Sequence, residues 1–348
     1  MDAFYVAVEL LRRPELRGKP VIVAGRGPRA VVTTASYEAR PFGVGSAMPV
    51  AHAKRLCPEL IHLPVDMTHY RKRSTEVMGL VGELDVPTER LSLDEVYLDL
   101  SSVPDPVARM SGLVRGIRDR LQLDASVGIG PNKLVAKVAS DAEKPRGFVV
   151  LTRDQAVERF AAAPVTLIPG IGPKTGERLR GYGVETLGQL QRCTVPGLIE
   201  RFGPSHGRAL HERAHFRSDD PVTTDREAKS RSVEETFDRD VADIATLERI
   251  LDRQSERLAG ALRKRGLAGR TIAIKVRLDD WTTVTRAHTL DRVTDDPAII
   301  AAQARELLHA YAPPRPVRLL GVRVSSFRSA ADPSPASPTA SLLSDAAA

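Results

Sequence analysis

Asp94 and Glu95 stand side by side in Leu91-Ser92-Leu93-Asp94-Glu95-Val96-Tyr97-Leu98-Asp99-Leu100, and adjacent carboxylates are donors suited to a hard cation. Val96, Leu98 and Leu100 alternate with Tyr97 and Asp99, the period-two pattern of a half-buried strand, so the acidic pair falls at a strand end. Neighbouring side chains of a strand point to opposite faces, but at a turn the pleat breaks and both carboxylates can converge on one magnesium ion. A solvated hairpin tip has the same composition, because Asp and Glu favour exposed positions. A second group lies in Thr34-Ala35-Ser36-Tyr37-Glu38-Ala39-Arg40, where a hydroxyl, a phenol and a guanidinium recur three residues apart. In a helix they share a face that can bind a triphosphate, Arg40 as a bidentate fork and Thr34 and Tyr37 as neutral donors. An ordinary capped surface helix satisfies that spacing equally.

The elements that must position these groups alternate between strand and helix. Residues 1–9 are apolar from the start and read as the end of a core strand running into a helix. Two β-branched runs, 21–24 and 30–34, flank Gly25-Arg26-Gly27-Pro28-Arg29 as a hairpin with a basic tip, whose glycine spacing fits no phosphate loop. Pro49 starts a helix over 50–56. Val107, Met110, Val114, Ile117 and Leu121 recur at helical intervals and predict a core helix over 106–121. A strand follows at 125–130, and Pro131 starts a helix with Leu134, Val135, Val138 and Ala139 on its apolar side, closed by Lys144-Pro145-Arg146-Gly147. This order, up to Leu151, predicts an α+β sheet domain.

Beyond it the chain turns helical and glycine-punctuated. In Pro169-Gly170-Ile171-Gly172-Pro173-Lys174 the glycines permit a tight turn and close approach of a partner, while Pro173 suits the first turn of a helix and Gly183 its end. The N–H groups at such a helix start form an anion site. The stretch resembles a helix-hairpin-helix, which grips duplex phosphates without reading sequence; a plain helical connector is the competing reading. A looser copy spans 194–203. Residues 219–229 form a polar linker, and a βαββαβ series follows: strands at 230–237, 270–278, 282–290 and 317–327, helices at 244–265 and 297–310. The tail from Ser329 is rich in Ala, Ser and Pro and is expected to be disordered.

Composition narrows the partners. The 348 residues suggest roughly two to four domains. Lys and Arg outnumber Asp and Glu by 51 to 44, and residues 229–328 hold 19 basic against 14 acidic side chains, which favours a polyanion. Aromatic content of 4% argues for contact with a duplex backbone over base stacking. Cys57 and Cys193 have no metal-ligand spacing and support neither a disulfide framework nor zinc. No secretory signal or membrane-spanning run is legible, so a cytoplasmic chain is expected.

Taken together, Asp2-Ala3-Phe4-Tyr5, Thr34 through Arg40, Ser92-Leu93-Asp94-Glu95, Gly128 to Lys137, Lys144-Pro145 and Pro169-Gly170-Ile171-Gly172 occur in the order found in Y-family translesion DNA polymerases of the DNA polymerase IV type, which the chain resembles to about Phe327. The resemblance implies an α+β multidomain right hand. Its parts are a palm (1–10 and 67–155), fingers (11–66), a helix-hairpin-helix thumb (156–218), a linker (219–229), a βαββαβ little finger (230–328) and a tail (329–348). It also implies template-directed, low-fidelity addition of deoxynucleotides to a primer 3′ end with two magnesium ions, tolerant of template damage. By it Asp94 and Glu95 hold metal, Thr34, Tyr37, Arg40 and Lys144 hold the triphosphate, and Tyr5 is the steric gate against ribose. Gly170, Gly172, Lys174, Arg231 and Arg323 contact DNA. The expected partners are primer-template DNA and deoxynucleoside triphosphates, for a nucleoid-associated monomer.

Two departures bear on this. The family carries a further metal-ligand aspartate two residues before the position of Asp2, upstream of Met1, leaving two carboxylates where the family uses three. Loss of an outer-shell partner typically costs about 10- to 100-fold, and a bridging ligand at least as much. The expectation is a start assigned too far downstream, with weak or absent synthesis restored by an upstream extension carrying the aspartate; a catalytically impaired DNA-binding paralogue is the other reading, and a helix-hairpin-helix nuclease a remote third. The tail stretch Thr339-Ala340-Ser341-Leu342-Leu343 lacks both ends of the peptide by which family members dock on the sliding clamp.

Overall fold

Phe4, Val6 and Val8 enter the core on a helix, α1 (Phe4–Arg12), and the main chain just before it is tied by Met1 N–H to the Asp94 carbonyl at 2.7 Å and Asp2 N–H to the Asp124 carbonyl at 3.0 Å. The computed structural model describes residues 1–225 and 227–329. They divide into two units: 1–225 apart from 27–29, and 27–29 with 227–329.

In the first unit, β1 (Val21–Ala24) pairs antiparallel with β2 (Val32–Ala35) and parallel with β3 (Ile61–Pro64). All four β1 side chains are fully buried, as a continuous apolar run covered on both faces should be. Helix α2 (Val50–Leu56) starts after Pro49 and contributes Ala53 to the same cluster as Ile22 and Val32. Helix α3 (Met67–Gly82) is capped by the Asp66 carboxylate and turns Tyr70, Val77 and Leu80 onto Phe4 and Val8. Next come β4 (Thr88–Arg90), β5 (Val96–Leu98), α4 (Pro106–Leu121, capped by Asp105), β6 (Val127–Ile129), α5 (Lys133–Ala142) and β7 (Phe148–Val150). Helix α5, expected to start at Pro131, starts at Lys133 with the Asn132 side chain as its cap. Strand β5 pairs antiparallel with β4, and β6 parallel with β7, as two separate two-stranded sheets.

Helices α6 (Arg153–Arg159), α7 (Pro173–Arg180), α8 (Leu187–Gln191), α9 (Val195–Phe202) and α10 (Pro204–Ala214) follow, α6 and α8 each opening on a full capping box. Their core, Ile168, Leu179, Leu187, Leu190, Leu210 and Phe216, is continuous with Leu134, Val135 and Val138 of α5. A single 3-10 turn, Val165–Leu167, precedes Gly170.

The second unit is βαββαβ: β8 (Ser230–Val241), α11 (Ile244–Arg263), β9 (Leu267–Leu278), β10 (Thr283–Thr294), α12 (Pro297–Tyr311) and β11 (Val317–Ser329). The sheet order is β10-β9-β11-β8, antiparallel throughout, with Ile272, Ile274, Val276, Val322 and Val324 packed against Leu251, Leu258 and Leu308 of the two helices. Ser329, expected to open the tail, ends β11 opposite Leu267. The rest of the tail, including 339–343, lies outside the described residues. No described helix is long and apolar enough to cross a membrane.

Candidate active site

The turn between β4 and β5 is built to present Asp94 and Glu95. Leu91 and Ser92 N–H groups both donate to the Glu95 carbonyl, at 3.0 and 3.3 Å, and the Ser92 hydroxyl donates to Asp94 Oδ1 at 2.7 Å. From below, the buried Ser74 hydroxyl of α3 donates to the Leu93 carbonyl and accepts from Arg90 Nη2 at 2.7 Å. The pair thus sits half-buried in a hydrogen-bonded turn.

Glu95 has a cationic neighbour. Lys137 Nζ of α5 lies 2.6 Å from Glu95 Oε1 and 3.3 Å from Asp141 Oδ2, while Lys144 Nζ lies 2.6 Å from Asp141 Oδ1. Four alternating charges therefore run from the acidic turn to the lysine expected to hold phosphate. Burial works to lower the Lys137 pKa, but Glu95 and Asp141 together raise it; burial likewise opposes ionisation of Asp141, yet Lys144 and Lys137 hold its pKa below the usual range. A cavity of about 750 Å³ is lined by Asp94, Glu95, Lys137 and Lys144 together with apolar residues of α3, α4, β5 and β6.

Tyr5 is held rigidly. Its ring stacks on Tyr70 with centroids 4.5 Å apart and planes at 15°, and the Tyr70 hydroxyl donates to Glu9 Oε1 at 2.9 Å. Burial and then the charge of Asp94 push the Tyr5 phenol upward, so it remains a neutral wall at working pH.

The stretch from Thr34 to Arg40 is not a helix. Thr34 lies in β2 opposite Val23, Tyr37 in a turn, and Arg40 begins a 3-10 turn, Arg40–Phe42. Tyr37 and Arg40 meet nonetheless, the guanidinium 4.0 Å above the phenol ring. The Tyr37 hydroxyl reaches Asp2 Oδ1 at 3.4 Å, and burial, then the Asp2 charge, push its pKa up to about 12.

Asp2 is a hub that sequence reasoning gave no role. It is 4% exposed and accepts from the Ser126 hydroxyl on both oxygens, at 2.8 and 2.9 Å, and from Arg146 N–H at 2.8 Å. One carboxylate thereby joins the residue just before β6, the loop after Lys144 and Tyr37. Asp2→Asn presents an amide NH2 to these donors and should cost about 1–3 kcal/mol, read from the urea midpoint at unchanged m-value.

Gly170, Gly172 and Lys174 are exposed together on the turn into α7. Gly170 has φ +91°, and a Cβ there would lie 2.2 Å from Arg213 Nη1, which donates to the Pro169 carbonyl at 3.3 Å. Arg231 and Arg323 do not share a face. Arg323 is exposed and lies opposite Ser232 and Ala273, whereas Arg231 lies opposite Val324 on the side the helices cover. Arg323 shares its face of the sheet with Lys275 and Arg277.

Residues 1–141 match the impB/mucB/samB family, 228–337 that family's C-terminal domain, and 166–215 the DNA polymerase-iota thumb domain. The chain is 43% identical over 335 residues to DNA polymerase IV of Streptomyces coelicolor, covering 94% of this chain and 70% of that one. It is 42% identical over 332 residues to DNA polymerase IV of Methanoculleus marisnigri, covering 93% and 92%. The chain belongs to the Y-family DNA polymerases of the DNA polymerase IV type. A solved Y-family DNA polymerase chimera aligns with a TM-score of 0.81 at 25% identity over 93% of this chain and 96% of that one, in agreement with the α+β right-hand fold.

Y-family polymerases use divalent cations, and the donors here can be tested for that. The described residues contain no group of three or more His, Cys, Asp or Glu side chains set to hold a metal. Asp94 and Glu95 nevertheless fit magnesium, which commonly takes one or two carboxylates and completes its octahedron with water and substrate phosphate.

Proposed function

We propose that the chain is a template-directed, low-fidelity DNA polymerase for translesion synthesis, with Asp94 and Glu95 as its magnesium ligands. The observation that carries this reading is the fixed acidic turn linked through Lys137 and Asp141 to Lys144, in a chain of the DNA polymerase IV type. The domains are the palm (1–10 and 67–155), fingers (11–66), thumb (156–218), linker (219–229) and little finger (230–328).

Two bound magnesium ions would supply the charge that favours ionisation of the primer 3′-hydroxyl and departure of pyrophosphate. The chain's own residues orient the reactants. Arg40, stacked on Tyr37, offers its fork to a phosphate, with the Tyr37 and Thr34 hydroxyls as neutral donors and Lys144 as a point charge. Tyr5, braced by Tyr70, walls off the space a ribose 2′-hydroxyl needs. The turn at Gly170 and Gly172 with Lys174, and the open β-face with Arg323, Lys275 and Arg277, hold duplex phosphates, so affinity should fall with salt. Such a protein works at the nucleoid, in the cytoplasm, as a monomer; a sliding clamp is a further proposed partner.

Primer extension tests the reading. The chain with magnesium should extend the primer, preferring the nucleotide that the template specifies but also misinserting others; DNA binding without extension at any magnesium concentration favours the impaired paralogue. Tyr5→Ala should raise ribonucleotide use relative to deoxynucleotide by roughly 10- to 100-fold, the range over which a cavity rejects one hydroxyl, measured as the ratio of kcat/KM values.

A further inference from the structure

Lys137 occupies Glu95 Oε1 at 2.6 Å, the carboxylate proposed as a metal ligand, and its side chain is about one quarter exposed. A dication and an ammonium on one carboxylate repel each other, and an ammonium this sheltered needs another acceptor when it leaves. Asp141 stands one helical turn on, with Oδ2 already 3.3 Å from Lys137 Nζ and Oδ1 engaged by Lys144. The two oxygens serve different lysines, so Asp141 can take Lys137 fully without releasing Lys144.

We propose that Lys137 is the resident counter-cation of Glu95, displaced when a divalent ion binds, and that Asp141 is the positioning residue that receives the displaced ammonium. The inference rests on the polymerase reading of Asp94 and Glu95 and adds to it an internal competitor for the metal. Removing that competitor should tighten cation binding. Removing its receiver should weaken binding, because Lys137 then has only Glu95 to hold.

The test is Mn2+ titration of the full chain, followed by loss of the free-ion EPR signal, without nucleotide so that phosphate contacts of Lys144 do not enter. K137M should lower the Mn2+ dissociation constant about 3- to 10-fold, while K137R, which keeps the charge, should match the parent. D141N should raise the constant by a similar factor in the parent and leave it unchanged in the K137M background. An unchanged or weaker affinity in K137M, a K137R that behaves like K137M, or a D141N effect of equal size in both backgrounds overturns the proposal. Should D141N fail to fold, the K137M and K137R pair decides alone. D94A separates the layers: it should remove this binding, and Mn2+ affinity that survives D94A overturns the site reading and the proposal together.

Discussion

Asp94→Ala is expected to lower single-nucleotide incorporation by at least ~1000-fold with little change in stability. A divalent cation at a developing phosphoryl charge is worth several kcal/mol, and about 4 kcal/mol corresponds to three powers of ten in rate. Asp94 accepts from the Ser92 hydroxyl on one of its oxygens and lies beside the Met1 ammonium, which donates to its main-chain carbonyl at 2.7 Å, while the Glu95 carboxylate is paired with Lys137. Its loss leaves one ligand, already engaged, to hold the metal. The fold depends on other atoms of the turn, namely the Glu95 carbonyl that accepts from Leu91 and Ser92 and the Leu93 carbonyl that accepts from Ser74, and these survive the substitution. A half-buried side chain making one hydroxyl contact should move stability by no more than about 0.5–1 kcal/mol. Rapid-quench incorporation compared with the parent, alongside a melting curve, separates the two effects. Residual activity above one part in a hundred would remove Asp94 from the metal site.

How far such a site is legible in sequence depends on the distance over which each contact acts. The acidic turn was readable because Val96, Leu98 and Leu100 set the strand and place Asp94 and Glu95 at its end. The βαββαβ unit was readable for the same reason: each element has its own period, and Asp243 and Asp296 cap α11 and α12 locally. The helix expected through Thr34, Tyr37 and Arg40 failed because three-residue spacing also fits a strand end followed by turns, and Ser36, which bonds to Val21 and Ala39 N–H groups, selects the turn. Which face Arg231 takes depends on the pairing of β8 with β11, where it lies opposite Val324, and that register is not legible in a single strand's own sequence. Strand β3 was missed because its parallel pairing with β1 gives a four-residue segment no alternation to read. Lys137, Asp141 and Lys144 do show the spacing of helix-face ion pairs, but their importance comes from Glu95, which is distant in sequence. Asp2 needed Ser126 and Arg146, more distant still.

The close packing of β6 on α5 leads to the largest expected stability effect, at Gly128. A Cβ there would lie 2.0 Å from the Ala136 carbonyl oxygen, 2.3 Å from Ser140 N and 2.9 Å from Ala139 Cβ. Two of these atoms are helix backbone, so no rotamer change relieves the clash; the strand and helix must separate. Gly128→Ala should therefore cost at least the ~3 kcal/mol at the upper end of ordinary overpacking, or about 6–12 °C in melting temperature for a unit of this size. The consequence reaches function through α5. Lys137 and Asp141 are borne on that helix, and moving it away from β6 displaces both from Glu95 and Lys144. Variants that fold at low temperature should therefore show impaired incorporation there, with DNA affinity retained because the glycine turn before α7 and the open β-face do not involve Gly128. A Gly128→Ala chain that melts within 2 °C of the parent would show that strand and helix can part without cost. The close approach would then not be what fixes the lysine pair beside the acidic turn.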